Sequence, residues 1–258
     1  MIKNTHLHQN DNNLYHDPVG YRQIVGRLLY LTNTRPDLSF SIQQFSQFMA
    51  APTMNHYKAM TRVLRYIKSI PGQGLFYLAT STVHLKGFTD SDWAAYLDTR
   101  RSISRYCMFL GNALISWKSK KQNIVSRSSS EAEYRALAVT SCEVQWLTYL
   151  LTDFHISFKH PTLLYCDNNS ARYIAANPVF HVRTKHIKID CHVARKRLQN
   201  YASNLKQPDA SKLLGPDAPD LPGQMHQNCL DKMHQTWPDA PDLPGQDAPD
   251  LPRCTRLA

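Results

Sequence analysis

VHLKGFTD (83–90), RYCMFL (105–110) and ALISWK (113–118) are three apolar runs of strand length that follow one another along the chain. Only Gly111 and Asn112 separate the last two runs, and a two-residue loop of this composition favours a β-hairpin. The later predicted elements are a helix over 128–154, a strand over 163–166, and helices over 169–176 and 185–199. This order predicts an α/β domain in which helices flank a mixed sheet.

Three other segments surround this α/β domain, which is predicted to occupy residues 81–200. Residues 1–17 are polar and are predicted to be disordered. Between residues 18 and 80, apolar side chains recur at three- and four-residue spacing, which predicts a small helical segment. Residues 201–258 contain nine of the 15 prolines and repeat the motif DAPDLP. That composition predicts a disordered Pro/Asp-rich tail, with a Pro-rich docking segment as the alternative.

The positive charge of the chain is concentrated before the tail. The whole sequence has 30 basic and 20 acidic residues, whereas residues 201–258 have five basic and eight acidic residues. The first 200 residues therefore have 25 basic and 12 acidic residues, a net charge of +13. Such an excess favours a nucleic-acid partner, because each neutralised phosphate releases counterions. A basic surface without a polyanionic ligand is the alternative.

The third predicted helix, over about residues 55–70, has a row of basic side chains. Lys58, Arg62, Arg65 and Lys68 recur at helical spacing beside an apolar stripe. Four cations without an intervening acid repel one another, which favours a phosphate backbone beside them; a solvated face is the other interpretation. Arg62 and Arg65 are the candidates for nucleic-acid binding on this helix.

Two acids lie at the ends of predicted strands. Asp90 ends the run that begins at Val83, and Asp167 follows the run over 163–166. Ligands of open α/β sheets bind at the carboxyl ends of strands. A carboxylate that follows an apolar strand is costly to bury unless it is paired or bound to a metal. Each acid alone could instead cap a turn or a helix.

Glu133 completes a predicted set of three carboxylates. It precedes Leu137 by one turn on the apolar face of the long helix, so its side chain is expected to point toward the sheet. Glu131 is better placed to cap that helix. Three carboxylates suit hard divalent cations, and two such ions can activate water and stabilise the leaving oxygen of a phosphodiester. The predicted metal-binding residues are therefore Asp90, Glu133 and Asp167.

Four long motifs are similar to one protein family. TDSDW (89–93), SSSEAEYRAL (128–137), YCDNNSA (165–171) and NPVFHVRTKHI (177–187) closely resemble the ribonuclease H domain of copia-type retrotransposon Pol polyproteins. The run from Tyr21 to Leu75 resembles the end of the reverse transcriptase of the same polyprotein, in its thumb and connection region. The resemblance covers about residues 18–200.

This resemblance implies Mg²⁺-dependent endonucleolytic hydrolysis of the RNA strand of an RNA–DNA hybrid. It implies two Mg²⁺ ions, for which Mn²⁺ can substitute, at the three acids already selected, and it adds Asp190 as a candidate fourth catalytic carboxylate. The implied basic surface for the hybrid consists of Lys118, Lys120, Lys121, Arg183, Lys185 and His186. The other implied partner is the remainder of the reverse transcriptase.

The sequence also departs from the family pattern. Lys188 stands where the family usually has an acid, and Asp190 lies on a different helical face from residue 188. Arg105 replaces a usual Gly, and Tyr96 replaces a usual small or acidic residue. No YVDD-like pair of aspartates occurs, so polymerase activity is not expected. These departures motivate a second hypothesis, a catalytically inactive remnant that still binds nucleic acid.

Two other types of site are disfavoured. An integrase-like strand transferase on the same fold has its Glu after both Asp residues, whereas Glu133 here lies between them. A zinc site at His181, His186, Cys191 and His192 lacks the usual ligand spacing.

Cysteine usage and hydropathy bear on localisation. The six cysteines form no CxxC motif, which predicts reduced thiols in an intracellular protein, cytoplasmic or nuclear. The first residues are polar and no apolar run approaches the length of a membrane span. Secretion and a membrane partner are therefore not expected.

Overall fold

The secondary structure is known from a computed structural model, which describes residues 7–8, 13–81, 83–156, 162–176, 196 and 214–215. Its helices are α1 (Pro18–Leu31), α2 (Ser39–Phe45), α3 (Met54–Ser69), α4 (Ser129–Asp153) and α5 (Asn169–Ala176), and short 3₁₀ turns over Pro36–Leu38 and Ser46–Phe48 flank α2. Its strands are β1 (Leu85–Asp92), β2 (Ile103–Leu110), β3 (Ala113–Lys121), β4 (Leu163–Cys166) and β5 (Leu214–Gly215).

The five strands form a single mixed sheet in the order β3-β2-β1-β4-β5. The central strand β1 is antiparallel to β2 and parallel to β4, and β3 is antiparallel to β2. Gly111 joins β2 to β3 with a φ of 61°, in the left-handed region that favours glycine, so the predicted hairpin is confirmed. The predicted α/β class, with helices flanking a mixed sheet, is also confirmed.

Strand β5 lies in the segment for which the sequence predicts disorder. Leu214 and Gly215 pair in parallel with Leu164 and Tyr165 of β4. The structure differs from the sequence prediction at these two residues, because unpaired backbone groups at a strand edge are available for hydrogen bonding whatever the composition of the partner. The remainder of the predicted tail, and the helix predicted over 185–199 apart from Lys196, lie outside the described residues.

Helix α4 covers one face of the sheet. Side chains alternate between the two faces along a strand, and every second residue of β1 and β2 points toward α4. The buried cluster at this contact consists of Leu85, Tyr106, Met108, Val144 and Leu147. Closer to the start of α4, the hydroxyl of Thr140 donates a hydrogen bond of 2.9 Å to Oγ1 of Thr89. These contacts hold the middle of α4 against β1 and β2.

The helical segment, α1 to α3, packs against the opposite face near β2 and β3. Phe40 of α2 forms a buried cluster with Tyr96 and Ile103. The indole Nε1 of Trp117 on β3 donates a hydrogen bond of 3.0 Å to the carbonyl oxygen of Thr32. The three helices also share a core of their own, which confirms the helical prediction for this part of the chain. No helix in the described ranges combines the length and apolar character needed to cross a membrane.

Candidate active site

The carboxyl ends of two adjacent strands meet the first turns of α4. Parallel pairing aligns Thr89 of β1 with Cys166 of β4, so Asp90 and Asp167 come next on neighbouring strands. Asp167 directly follows β4, whereas Asp90 lies within β1 and not at its end as the sequence predicted, because pairing with β2 extends β1 to Asp92. Ligand atoms of Glu133, Cys166 and Asp167 all lie within 4.8 Å of one another. Two of the three predicted acids are thus close together: Glu133 in the first turns of α4 and Asp167 at the end of β4.

Glu133 is the most deeply buried acid of this group, with 6% of its surface exposed. Its carboxylate accepts a hydrogen bond from the backbone of Ser91. Burial, and then the negative charges of Asp90 and Asp167, raise the pKa of Glu133 to about 9. Within the described part of the chain, Oε2 of Glu133 has no hydrogen-bond partner. A buried oxygen without a donor, beside two further acids, fits a hard divalent cation.

Cys166 is the third member of the close group, and the sequence did not indicate it as a ligand. Burial raises the pKa of its thiol to about 12, and the nearby acids raise it as well. A thiol that stays protonated at neutral pH is a poor ligand, because the thiolate is the form that binds metals. The oxygen atoms of the acids are therefore the donors that define the chemistry of this site.

Asp90 is paired with a cation. It lies opposite Arg105 in the register of β1 and β2, so the two side chains share one face of the sheet. Nη1 of Arg105 is 3.5 Å from Oδ2 of Asp90, and Nη2 contacts Oδ2 of Asp92. Asp90 remains close enough to Glu133 to contribute to its raised pKa. The structure thus places all three predicted acids in one region, with a guanidinium among them.

Glu131 and Glu133 have the different roles that the sequence predicts. The hydroxyl of Ser128 accepts a hydrogen bond of 3.2 Å from the backbone N–H of Glu131. The Glu131 carboxylate accepts one of 2.8 Å from the backbone of Arg127 and one of 2.7 Å from Nη2 of Arg135. Glu131 therefore stabilises the start of α4, and Glu133 is left to face the sheet.

Gln122 is a positioning residue that the sequence did not indicate. Its buried amide Nε2 donates hydrogen bonds of 2.9 Å to Oγ of Ser104 and to the carbonyl oxygen of Ala132. Its Oε1 accepts one of 2.9 Å from the hydroxyl of Ser126. These bonds join the end of the β-hairpin to the residue before Glu133. A single Gln after two lysines has no distinctive sequence pattern, so only the structure identifies it.

The predicted basic residues are divided among several environments. Lys118 and Lys120 are exposed on β3, and together with Arg135 they line a groove of about 250 Å³ beside α4. Lys121 also lines this groove, but its Nζ donates a hydrogen bond of 3.0 Å to Oε1 of Gln47 and lies 4.2 Å from the ring centroid of Tyr96. Burial lowers the pKa of Lys121. Only two of these three lysines are therefore presented to solvent.

The other predicted site residues lie on α3 or outside the described ranges. Arg65 is exposed on α3 and Arg62 is half-buried there, on the helical segment and not among the acids. The residues outside the described ranges are Arg183, Lys185, His186, Lys188 and Asp190, together with the candidate zinc ligands His181, Cys191 and His192.

Comparison with known proteins identifies relatives for most of the chain. The retrovirus-related Pol polyprotein from transposon RE2 of Arabidopsis thaliana is 49% identical over 186 residues, which are 72% of this chain and 13% of that polyprotein. The chain is homologous to a segment of transposon Pol polyproteins. The Pol polyprotein from transposon TNT 1-94 of Nicotiana tabacum is 35% identical over 183 residues, 70% of this chain and 14% of that polyprotein.

This Pol homologue thus spans a small fraction of the length of those two relatives. A shorter protein of Plasmopara viticola, named secreted RxLR effector protein 161, is 43% identical over 131 residues, 50% of this chain and 92% of that protein. No protein-family model and no solved structure matches the chain.

Proposed function

We propose that this Pol homologue is a ribonuclease H that hydrolyses the RNA strand of RNA–DNA hybrids with Mg²⁺. The observation that carries the proposal is that ligand atoms of Glu133 and Asp167 lie within 4.8 Å of one another, with Asp90 close enough for its charge to raise the pKa of Glu133. Acids from separate elements are brought together at a cost in repulsion, which a divalent cation offsets.

The residues of the chain would have different roles at such a site. Glu133 and Asp167 would hold Mg²⁺ through oxygen atoms, with Asp90 as the third ligand. Two ions bound there would activate a water and stabilise the leaving oxygen of the phosphodiester. In the absence of a cation, the raised pKa of Glu133 keeps a proton on its carboxyl at neutral pH. Gln122 orients the turn of α4 that carries Glu133.

The exposed cations beside α4 support a nucleic-acid substrate. Lys118 and Lys120 point into solvent from β3, and Arg135 lines the same groove. The two exposed lysines can neutralise phosphates, which gives affinity without base specificity, whereas Arg135 is buried and paired with Glu131. The basic face of α3 is a further proposed contact, either for the hybrid or for the remainder of the reverse transcriptase.

A second candidate function is a binding remnant without nuclease activity. The ion pair between Arg105 and Asp90 favours it, because a cation already accompanies one of the three proposed ligands. This candidate predicts salt-dependent binding of hybrids without cleavage.

The test is cleavage of a labelled RNA–DNA hybrid by the full chain, in Mg²⁺ and then in Mn²⁺. We expect Asp167→Asn to lower the cleavage rate at least about a hundredfold, since stabilisation by a metal is worth several kcal/mol. Asp153→Asn, at the exposed end of α4, is the matched control and is expected to leave the rate unchanged. Hybrid binding without cleavage in either metal would refute the nuclease and favour the binding remnant.

A further inference from the structure

Arg105 is a fully buried cation beside Asp90, Glu133 and Asp167, which together are called the acid site. None of its side chain is exposed, while Asp90 and Asp92 are 21% and 27% exposed. The guanidinium carbon also lies 5.8 Å from the ring centroid of Phe40, which closes the site from the side of the helical segment. A buried charge is tolerated only when it is paired, so these two carboxylates are what keep the guanidinium in place.

We propose that Arg105 is a resident cation of the acid site, which competes with divalent metal ions for Asp90. This inference rests on the proposed metal-binding function and concerns how strongly this chain binds the ion. The competition follows from position: Nη1 of Arg105 is 3.5 Å from Oδ2 of Asp90, one of the two oxygens through which Asp90 would bind a metal ion.

The chemistry of arginine makes this competitor permanent. A guanidinium stays charged at all pH values that a folded protein meets. Arg105 contacts two carboxylates at once, so a metal that takes Asp90 leaves the guanidinium with Asp92 alone. A divalent ion bound beside it would also be repelled by a unit positive charge in a partly buried site.

The position of Arg105 in the sheet prevents it from moving aside. It lies in the interior of β2, hydrogen-bonded between β1 and β3, with Asp90 opposite on one side and Ser119 on the other. The residues of β2 around it are buried, and the ring of Phe40 lies over the guanidinium. The guanidinium is therefore enclosed between the neighbouring strands and the ring of Phe40.

The experiment measures Mn²⁺ binding to the full chain by the electron paramagnetic resonance signal of free Mn²⁺. We expect Arg105→Ala to bind Mn²⁺ at least about tenfold more tightly than the parent chain, because the repulsive charge is removed. Arg105→Lys keeps the charge and is expected to stay within about threefold of the parent. The double variant Asp90→Asn/Arg105→Ala is expected to lose the tighter Mn²⁺ binding of Arg105→Ala.

Folding is monitored separately, because Arg105→Ala leaves two carboxylates without their cation. Circular dichroism and the melting temperature in EDTA show whether each variant folds. If Arg105→Ala does not fold, Arg105→Ala with Asp92→Asn is compared with Asp92→Asn alone, and the same gain is expected. Equal Mn²⁺ affinity with and without Arg105 overturns the inference.

Failure of the inference and failure of the proposed function give different results. Mn²⁺ binding that is lost in Asp167→Asn but unchanged in Arg105→Ala keeps the proposed metal site and overturns the role of Arg105. Tighter binding in Arg105→Ala without hybrid cleavage supports the inference and refutes the nuclease. Absence of Mn²⁺ binding in every variant overturns both.

Discussion

Glu133 is an acid whose surroundings favour its protonated form. Its pKa rises from the ordinary value of 4.5 to about 9, chiefly through burial. The folded chain therefore binds this proton more tightly than the unfolded chain does. The resulting stabilisation is fully present below about pH 4.5 and is lost progressively as the pH rises toward 9. At pH 8 the folded state keeps a proton on Glu133 that the unfolded state has released.

Replacement of Glu133 by Gln should remove this pH dependence. A neutral amide keeps the shape of the protonated acid, so we expect Glu133→Gln to melt at least about 3 °C above the parent chain at pH 8 in EDTA. At pH 4 the two should melt at similar temperatures. Melting followed by circular dichroism at pH 4, 6 and 8 tests this, with Asp153→Asn as a control. A difference between Glu133→Gln and the parent chain that is the same at every pH would contradict it.

Individual site residues differ in how far the sequence could predict them. Asp90 and Asp167 follow apolar runs, and Glu133 lies on an apolar helical face, so each has a local signal. The burial of Arg105 has no local signal in the sequence, because it depends on the strand register. The apolar run suggested that β2 begins at Arg105, whereas pairing with β1 extends it back to Ile103. An arginine expected at a strand end is thereby placed inside the sheet.

At the level of elements, Gln122 links the β-hairpin to α4. Ala in its place would leave the carbonyl of Ala132 and the hydroxyl of Ser104 without their donor in a buried setting. We expect Gln122→Ala to lower the free energy of unfolding by about 2–4 kcal/mol and to weaken Mn²⁺ binding, since the start of α4 would shift. Urea unfolding and the Mn²⁺ titration measure the two effects.

Gln145 supplies the matched control for this element. Its amide donates to the hydroxyl of Tyr149 on the exposed face of α4, so Gln145→Ala should change the free energy of unfolding by less than about 0.5 kcal/mol. A loss in Gln122→Ala no larger than in this control would show that the linkage does not position α4.

Most elements were predictable because their signals are local. The two-residue hairpin loop, the apolar runs and the helical spacing each act within a few residues. The sheet order could not be derived in this way, because it depends on contacts between distant residues. Gly87 illustrates this: a Cβ there would lie 2.8 Å from Sδ of Met108 and 2.9 Å from Cδ1 of Leu164, on two other strands. A larger residue there would require both side chains to shift, so the preference for glycine comes from packing across the sheet.

At the scale of the whole molecule, we expect the contacts between the helical segment and the sheet to make the two parts unfold as one cooperative unit. Phe40 of α2 is 7% exposed and packs on Tyr96 and Ile103 of the α/β domain. We expect Phe40→Ala to lower the free energy of unfolding by about 3 kcal/mol, because a buried aromatic ring is lost at the contact. Urea unfolding should show a single transition, with the same midpoint by far-ultraviolet circular dichroism and by tryptophan fluorescence.

Tyr30 on α1 gives the comparison for this prediction. It is 80% exposed, so Tyr30→Ala should leave the midpoint within the equivalent of about 0.5 kcal/mol. If the parent chain instead unfolded in two transitions, or if Phe40→Ala shifted the midpoint of only one probe, the helical segment and the α/β domain would be separate folding units. The face of the sheet that carries Arg105 and Asp90 would then be stable without α2, and Phe40 would not help to keep the guanidinium at the acid site.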